Sequence, residues 1–165
     1  MNVSRRELLM MLPGLAVGLG DPARAAPSRV ETFDSRTWKQ LQAGLKLPTV
    51  VVFSATWCPN CPAVIEDLAD DIRSRHFGGQ LLAVVMDVAP GENDAGLMRP
   101  AHYQVADRLF AFSGQAPALR YAVDPTWRGA TPFLAFLNPG RAPRFVTGPP
   151  QPEDLKAWMT PAKVK

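Results

Sequence analysis

From Thr49 to Pro62 a block of β-branched and aromatic residues, Thr49-Val50-Val51-Val52-Phe53, runs straight into a Cys-x-x-Cys pair, Cys58 and Cys61. An apolar run of that length and composition reads as a buried strand that stops at Ser54. Val64, Ile65, Leu68, Ala69 and Ile72 then recur at helical spacing. The two thiols therefore sit where a strand hands over to a helix. Cys58 is expected at or just before the first turn, with Pro59 at an early position where its missing N–H costs nothing. The unpaired N–H groups and positive dipole end of that helix would face Cys58. Such a setting favours thiolate over thiol and lowers the cysteine pKa.

The flanking chain places this unit in a larger α/β pattern. Val30-Glu31-Thr32-Phe33 alternates as a short strand. Asp34 reads as the N-cap of a helix through Trp38 and Leu41, stopped by Gly44. After the Cys58 helix, which ends near His76-Phe77-Gly78-Gly79, Leu81 to Val88 forms another apolar strand. Strand, helix, strand in this span predicts a right-handed βαβ crossover with parallel strands. The loop Ala89–Gly96 should then leave the same sheet edge as Cys58, where ligand sites of open α/β sheets lie. A helix is expected from about Pro100 to Phe112, with Tyr103, Ala106, Leu109 and Phe110 on one face, and a short strand over Leu119–Val123. Phe133–Leu137 and Pro143–Thr147 read as a hairpin across the turn Asn138-Pro139-Gly140-Arg141. Pro152 to about Met159 is a last helix, with Glu153 and Asp154 favourably placed in its first turn.

The first 25 residues belong to a different reading. Ser4-Arg5-Arg6-Glu7-Leu8-Leu9 precedes a short apolar run, and Ala23-Arg24-Ala25 offers small residues at the positions a signal peptidase reads. This resembles a twin-arginine export signal, with Leu8 and Met10 in place of the usual Phe and Lys. Residues 1–25 are thus expected to be a signal cleaved near Ala25, and residues 26–165 the working domain. The apolar run is shorter than the roughly 20 residues a membrane span needs, so the cleaved chain is not expected to span one. Export would place the thiols in the periplasm, where disulfides persist. A formal net charge of +3, without a basic stripe interleaved by aromatics, argues against nucleic acid as a partner.

Only two cysteines occur, both in the motif. A purely structural disulfide would constrain little, because it closes a loop of two intervening residues. A zinc site needs four ligands, and the candidates beyond the thiols are His76, at a helix end, and His102, on a distant helix. Two thiolates suit Cu(I), so copper binding or delivery is an alternative of a different class. Redox exchange fits the strand–motif–helix context best, and it needs neither metal nor cofactor beyond the sulfurs.

Trp57-Cys58-Pro59-Asn60-Cys61 after an apolar strand resembles the thioredoxin superfamily. Thr131-Pro132 before Phe133–Leu137 matches that family's cis-proline, and Gly148 before the last helix matches its closing turn. The longer span from Val88 to Pro132, with Asp124-Pro125-x-Trp127-x-Gly129, is similar to the exported TlpA/ResA-like branch. The resemblance covers roughly residues 30–160. It implies a thioredoxin-like α/β fold, a central mixed sheet flanked by helices, with an inserted helix and strand before the cis-proline. It also implies roles. Cys58, as an exposed nucleophile, attacks a substrate disulfide and Cys61 resolves the mixed disulfide. Trp57 packs beside the motif, Pro132 holds a loop that pairs with substrate backbone, and Thr131 offers its hydroxyl or backbone to the sulfur.

Two departures stand out. Thioredoxins carry a buried acid in the motif strand to help deprotonate the resolving cysteine, and here that position is Val52. The helix-kink proline is also missing, with Glu66 near its place. The expected function is an exported thiol:disulfide oxidoreductase. The resemblance implies a reductant of protein disulfides such as apocytochrome c, recharged by a membrane thiol carrier. A disulfide-forming oxidase is the alternative within the class; Asn60 brings no positive charge of the kind a strong oxidant uses.

Overall fold

The apolar runs of the sequence lie side by side as the middle of one six-stranded sheet. The computed structural model describes residues 25–160. Apart from Ala25, the expected export signal lies outside the described residues, as does the tail beyond Thr160. The elements are β1 (Val30–Phe33), α1 (Ser35–Ala43), β2 (Thr49–Ser54), α2 (Cys61–Ser74), β3 (Gln80–Val85), α3 (Asp94–Leu97), α4 (Ala101–Gln104), β4 (Arg108–Phe112), α5 (Ala116–Val123), β5 (Phe133–Leu137), β6 (Arg144–Thr147) and α6 (Pro152–Met159). Strand order is β1-β4-β3-β2-β5-β6. The first four are parallel to one another, β5 is antiparallel to β2, and β6 is antiparallel to β5. The edge strands β1 and β6 have four residues each.

Central strands here are apolar on both faces because helices cover both. Val50, Val52, Leu81, Ala83, Leu109, Ala111, Leu134 and Phe136 pack with α2, Tyr103 of α4 and Trp158 of α6. The alternate residues, Val51, Phe53, Leu82, Val84, Phe110, Phe112 and Phe133, pack with Trp38 of α1 and with Leu119 and Val123 of α5. Local chemistry agrees with these elements. Asp34 caps α1 by accepting from the Thr37 N–H at 2.7 Å. Gln151 and Asp154 form a reciprocal capping box on α6.

The expected mixed sheet flanked by helices is present, and so is an insertion before Pro132. Its parts are exchanged relative to the sequence reading. The expected helix over 100–112 is a single turn, α4, followed by strand β4. The expected strand over 119–123 lies inside helix α5. Leu109 and Phe110, placed together on one helical face by the sequence reading, instead point to opposite faces of the sheet. β4 is buried between β1 and β3, so all but its first residue are apolar and no alternation marks it as a strand. In α5, Leu119 and Val123 are buried one helical step apart and Pro117 occupies the first turn.

β1 is fastened to this inserted strand by charge. Arg108 donates from Nε and NH2 to the two Glu31 carboxylate oxygens, at 2.8 and 2.7 Å. These bonds hold the Glu31 carboxyl below its ordinary range. A carboxyl lowered in the folded state contributes stability above its unfolded pKa, about 4.3, and loses it as pH falls through the folded value. We predict that Glu31→Gln is less stable than wild type near neutrality and that the gap closes on acidification. Urea midpoints from pH 6 to pH 3 check this, and a gap constant across that range would refute it.

Candidate active site

β2 ends at Ser54, and the next six residues carry the chain over the sheet edge to α2. The Cys58 N–H donates to the Ala55 carbonyl at 3.0 Å, closing a turn that folds Cys58 back over the strand end. α2 begins at Cys61 with Asn60 as its cap, and the proline in its first turn is Pro62, not Pro59. Cys58 therefore lies three residues ahead of the helix proper. The Asn60 side chain makes no capping bond, so it does not satisfy the first N–H groups of α2.

Cys58 and Cys61 form a disulfide, and no free cysteine exists. Both sulfurs pack with Ala55. Cys61 is fully enclosed, whereas Cys58 retains 5% exposure. Cys58 is therefore buried and not the exposed nucleophile the sequence leads one to expect, because it folds back over the strand end, while its neighbours Thr56, Trp57, Pro59 and Asn60 are all exposed. Trp57 is 66% exposed, so it is a surface side chain beside the motif and not a core residue.

Pro132 follows a cis peptide bond from Thr131. In the antiparallel β2–β5 register Phe53 faces Phe133, which puts Thr131-Pro132 beside the end of β2 from which the motif leaves. Pro132 is buried and its carbonyl accepts from the Gly148 N–H at 2.8 Å. Trp127 braces the approach, its indole N–H donating to the Ala130 carbonyl at 2.9 Å and its ring stacked on Phe133. Gly129 has a φ of +98°, and a Cβ there would sit 3.2 Å from the Arg120 guanidinium, so the turn admits only glycine. The Thr131 hydroxyl oxygen is buried and has no hydrogen-bond partner.

β2 and β3 are parallel, with Ser54 opposite Val85. The chain beyond β3 accordingly emerges at the motif edge, where Met86 donates its N–H to the Ser54 carbonyl. Asp87, expected at the end of the strand over 81–88, lies beyond β3 and clamps the motif loop. Its carboxylate accepts from the Thr56 N–H at 2.9 and 3.1 Å and also from the Thr56 hydroxyl. An acid at the carboxyl end of a strand neighbouring β2 was the signal that could have found it. The Ala89–Gly96 loop is tied within itself, Glu92 accepting from Ala89 N–H and Asp94 from Gly91 N–H.

Val52, at the position where thioredoxins carry an acid, is fully buried among apolar residues. Glu66 is exposed on α2, and its charge acts on His102. His76 follows Arg75, the C-cap of α2, with a φ of 48°, at the opposite end of the helix from the cysteines. Among the described residues no group of three or more His, Cys, Asp or Glu side chains is arranged to hold a metal ion. Nor is any helix among them long and apolar enough to cross a membrane.

No family model and no curated protein matches the chain. Among solved structures it is similar to a secreted Mycobacterium tuberculosis disulfide oxidoreductase homologous to E. coli DsbE, at 16% identity and a TM-score of 0.49, covering 71% of this chain and 84% of that one. It is also similar to M. tuberculosis DsbF, at 17% identity and a TM-score of 0.48, covering 72% and 82%. Likenesses this distant leave the fold to be judged by the chain's own topology and register.

Proposed function

We propose that this chain, whose fold is thioredoxin-like, is an exported thiol:disulfide oxidoreductase that works as a reductant of protein disulfides. The observation that carries the reading is the Cys58–Cys61 disulfide at the start of α2, reached from the end of β2 beside which Thr131-Pro132 lies. In this reading the reduced protein attacks a substrate disulfide through Cys58, the less enclosed of the two cysteines. Cys61, enclosed beneath it, then displaces the substrate. Trp57 and the Thr131-Pro132 segment form the walls against which an extended substrate lies. The unpartnered Thr131 hydroxyl supports that placement, because a buried hydroxyl without a partner is costly unless something engages it. Residues 1–25 direct the chain to the periplasm, and a membrane thiol carrier restores the dithiol after each turnover. Apocytochrome c is a substrate of the kind the reading requires.

A reduction potential separates the directions. A value near about −270 mV, with catalysis of insulin reduction by dithiothreitol, is the expected result; a value near about −120 mV makes the protein an oxidase instead. Stoichiometric Cu(I) uptake by the reduced protein without any insulin reduction would replace the reading with copper binding.

A further inference from the structure

Resolution requires Cys61 to lose a proton while fully enclosed, and the strand beneath it offers no acid. Among the described residues the buried polar ones are Thr49, Ser54 and Asp154. Thr49 lies at the far end of β2, bonded to the Leu47 carbonyl, and Asp154 sits in α6, engaged by Arg144 and the Gln151 N–H. Of these three only Ser54 stands at the motif end, the buried Thr131 hydroxyl beside it being assigned above to substrate. Ser54 has no exposure, and it directly precedes Ala55, the residue packed with both sulfurs. Strand alternation puts Ser54 on the same face as Val50 and Val52, the face covered by α2. Its Oγ lies 3.3 Å from the hydroxyl of Tyr103, a buried residue of the inserted helix α4, which packs on α2.

We propose that Ser54, oriented by Tyr103, donates a hydrogen bond to the Cys61 thiolate and so takes the part that an acid at the Val52 position would otherwise play. The inference rests on the exchange function proposed above. In the mixed disulfide, Cys61 S–H gives its proton to water. The Cys61 thiolate then attacks the Cys58 sulfur, the Cys58–substrate S–S bond breaks, and the Cys58–Cys61 bond forms. The substrate leaves as a thiolate and takes up a proton. Two electrons pass from the protein to the substrate. Ser54 stabilises the thiolate at the attacking stage, and Tyr103 is a positioning residue acting through Ser54.

The surroundings keep the pair in its donor form. Burial raises the Tyr103 phenol above its ordinary range, with the Asp87 charge adding to this and the Ser54 hydrogen bond opposing it. His102, ring-to-ring with Tyr103 at 4.1 Å, is held below its ordinary value by burial, against the Glu66 charge. Glu66, Asp87 and His102 are therefore the ionisable side chains that face the pair.

The test uses the full chain, reduced and reacted with 5,5′-dithiobis(2-nitrobenzoate) in stopped flow. The first release of thionitrobenzoate reports attack by Cys58, and the second reports resolution by Cys61. In Ser54→Ala and Tyr103→Phe the first phase should stay within about two-fold of wild type. The second should slow about ten-fold, with its apparent pKa raised by about one pH unit, as loss of one bond to an ionised sulfur implies. The double variant should match Ser54→Ala alone, because Tyr103 acts through Ser54. An unchanged second-phase pH profile with only a lower melting temperature would make the pair structural and overturn the proposal. Equal slowing of both phases would overturn it too. If wild type reduces no insulin, the function reading fails on its own. A ¹³Cβ titration of Cys61 in the reduced protein then still decides the hydrogen bond by the same shift.

Discussion

Cys58→Ser is expected to lower disulfide exchange by about a thousand-fold or more, because a hydroxyl at this site neither ionises near neutrality nor forms the sulfur–sulfur intermediate. Cys61→Ser is expected to fail differently. Its Cys58 thiolate still attacks, but nothing displaces the bound substrate, so a covalent adduct accumulates. The asymmetry follows from burial: Cys58 keeps a sliver of exposure between four exposed neighbours, whereas Cys61 is sealed in the first turn of α2. Non-reducing gels of each variant, mixed with an oxidised protein substrate, check the pair of outcomes. Only Cys61→Ser should show a band that dithiothreitol dissolves. Intact turnover in Cys61→Ser, or adducts trapped by Cys58→Ser, would reverse the assigned roles.

The largest stability loss is expected at Phe53. Its ring is fully buried on β2, one residue before the strand ends. It meets Phe33 and Trp38 from β1 and α1, Phe112 from β4, Trp127 from the loop, and Phe133 beside Pro132, with centroids 4.9 to 6.3 Å apart. Truncation to alanine empties the point where these elements meet, and core Phe→Ala changes cost about 3–5 kcal/mol. For a chain of this size that corresponds to a fall in melting temperature on the order of 10 °C. Because Trp127 and Phe133 also support the cis-proline segment, exchange should weaken at temperatures well below unfolding. Urea unfolding of Phe53→Ala against wild type measures the loss, and a change under about 1 kcal/mol would show that the cluster closes over the gap.

The motif unit was legible in the sequence because each signal there is local. β2 carries the four-residue apolar block Val50–Phe53, α2 has buried residues at helical spacing, and Cys58 and Cys61 mark the handover from one to the other. The β5–β6 hairpin and Asp34 cap were legible for the same reason. The insertion was not. Residues 101–112 carry apolar residues that fit a helical face, yet β4 is decided by the slot between β1 and β3, a tertiary fact that no window contains. The same holds for the polar side of the site. Asp87 reaches Thr56 across 31 residues and Tyr103 reaches Ser54 across 49, so neither partner could be named before the sheet was assembled. What the sequence did expose was the vacancy: an acid missing at Val52.

Sheets offer two ways to hold an unfolded polypeptide, by lengthening the sheet at an edge or by pairing with a loop at its end. Here the first is poorly served. Both outer strands are four residues long, β1 carries Glu31 under the Arg108 fork, and β6 opens with the exposed Arg144 after Pro143. Short, charged, proline-flanked borders discourage strand addition. Under the exchange function proposed above, a substrate chain finds little purchase along the flanks of this protein, and its backbone is left the end of the sheet where the sulfurs lie.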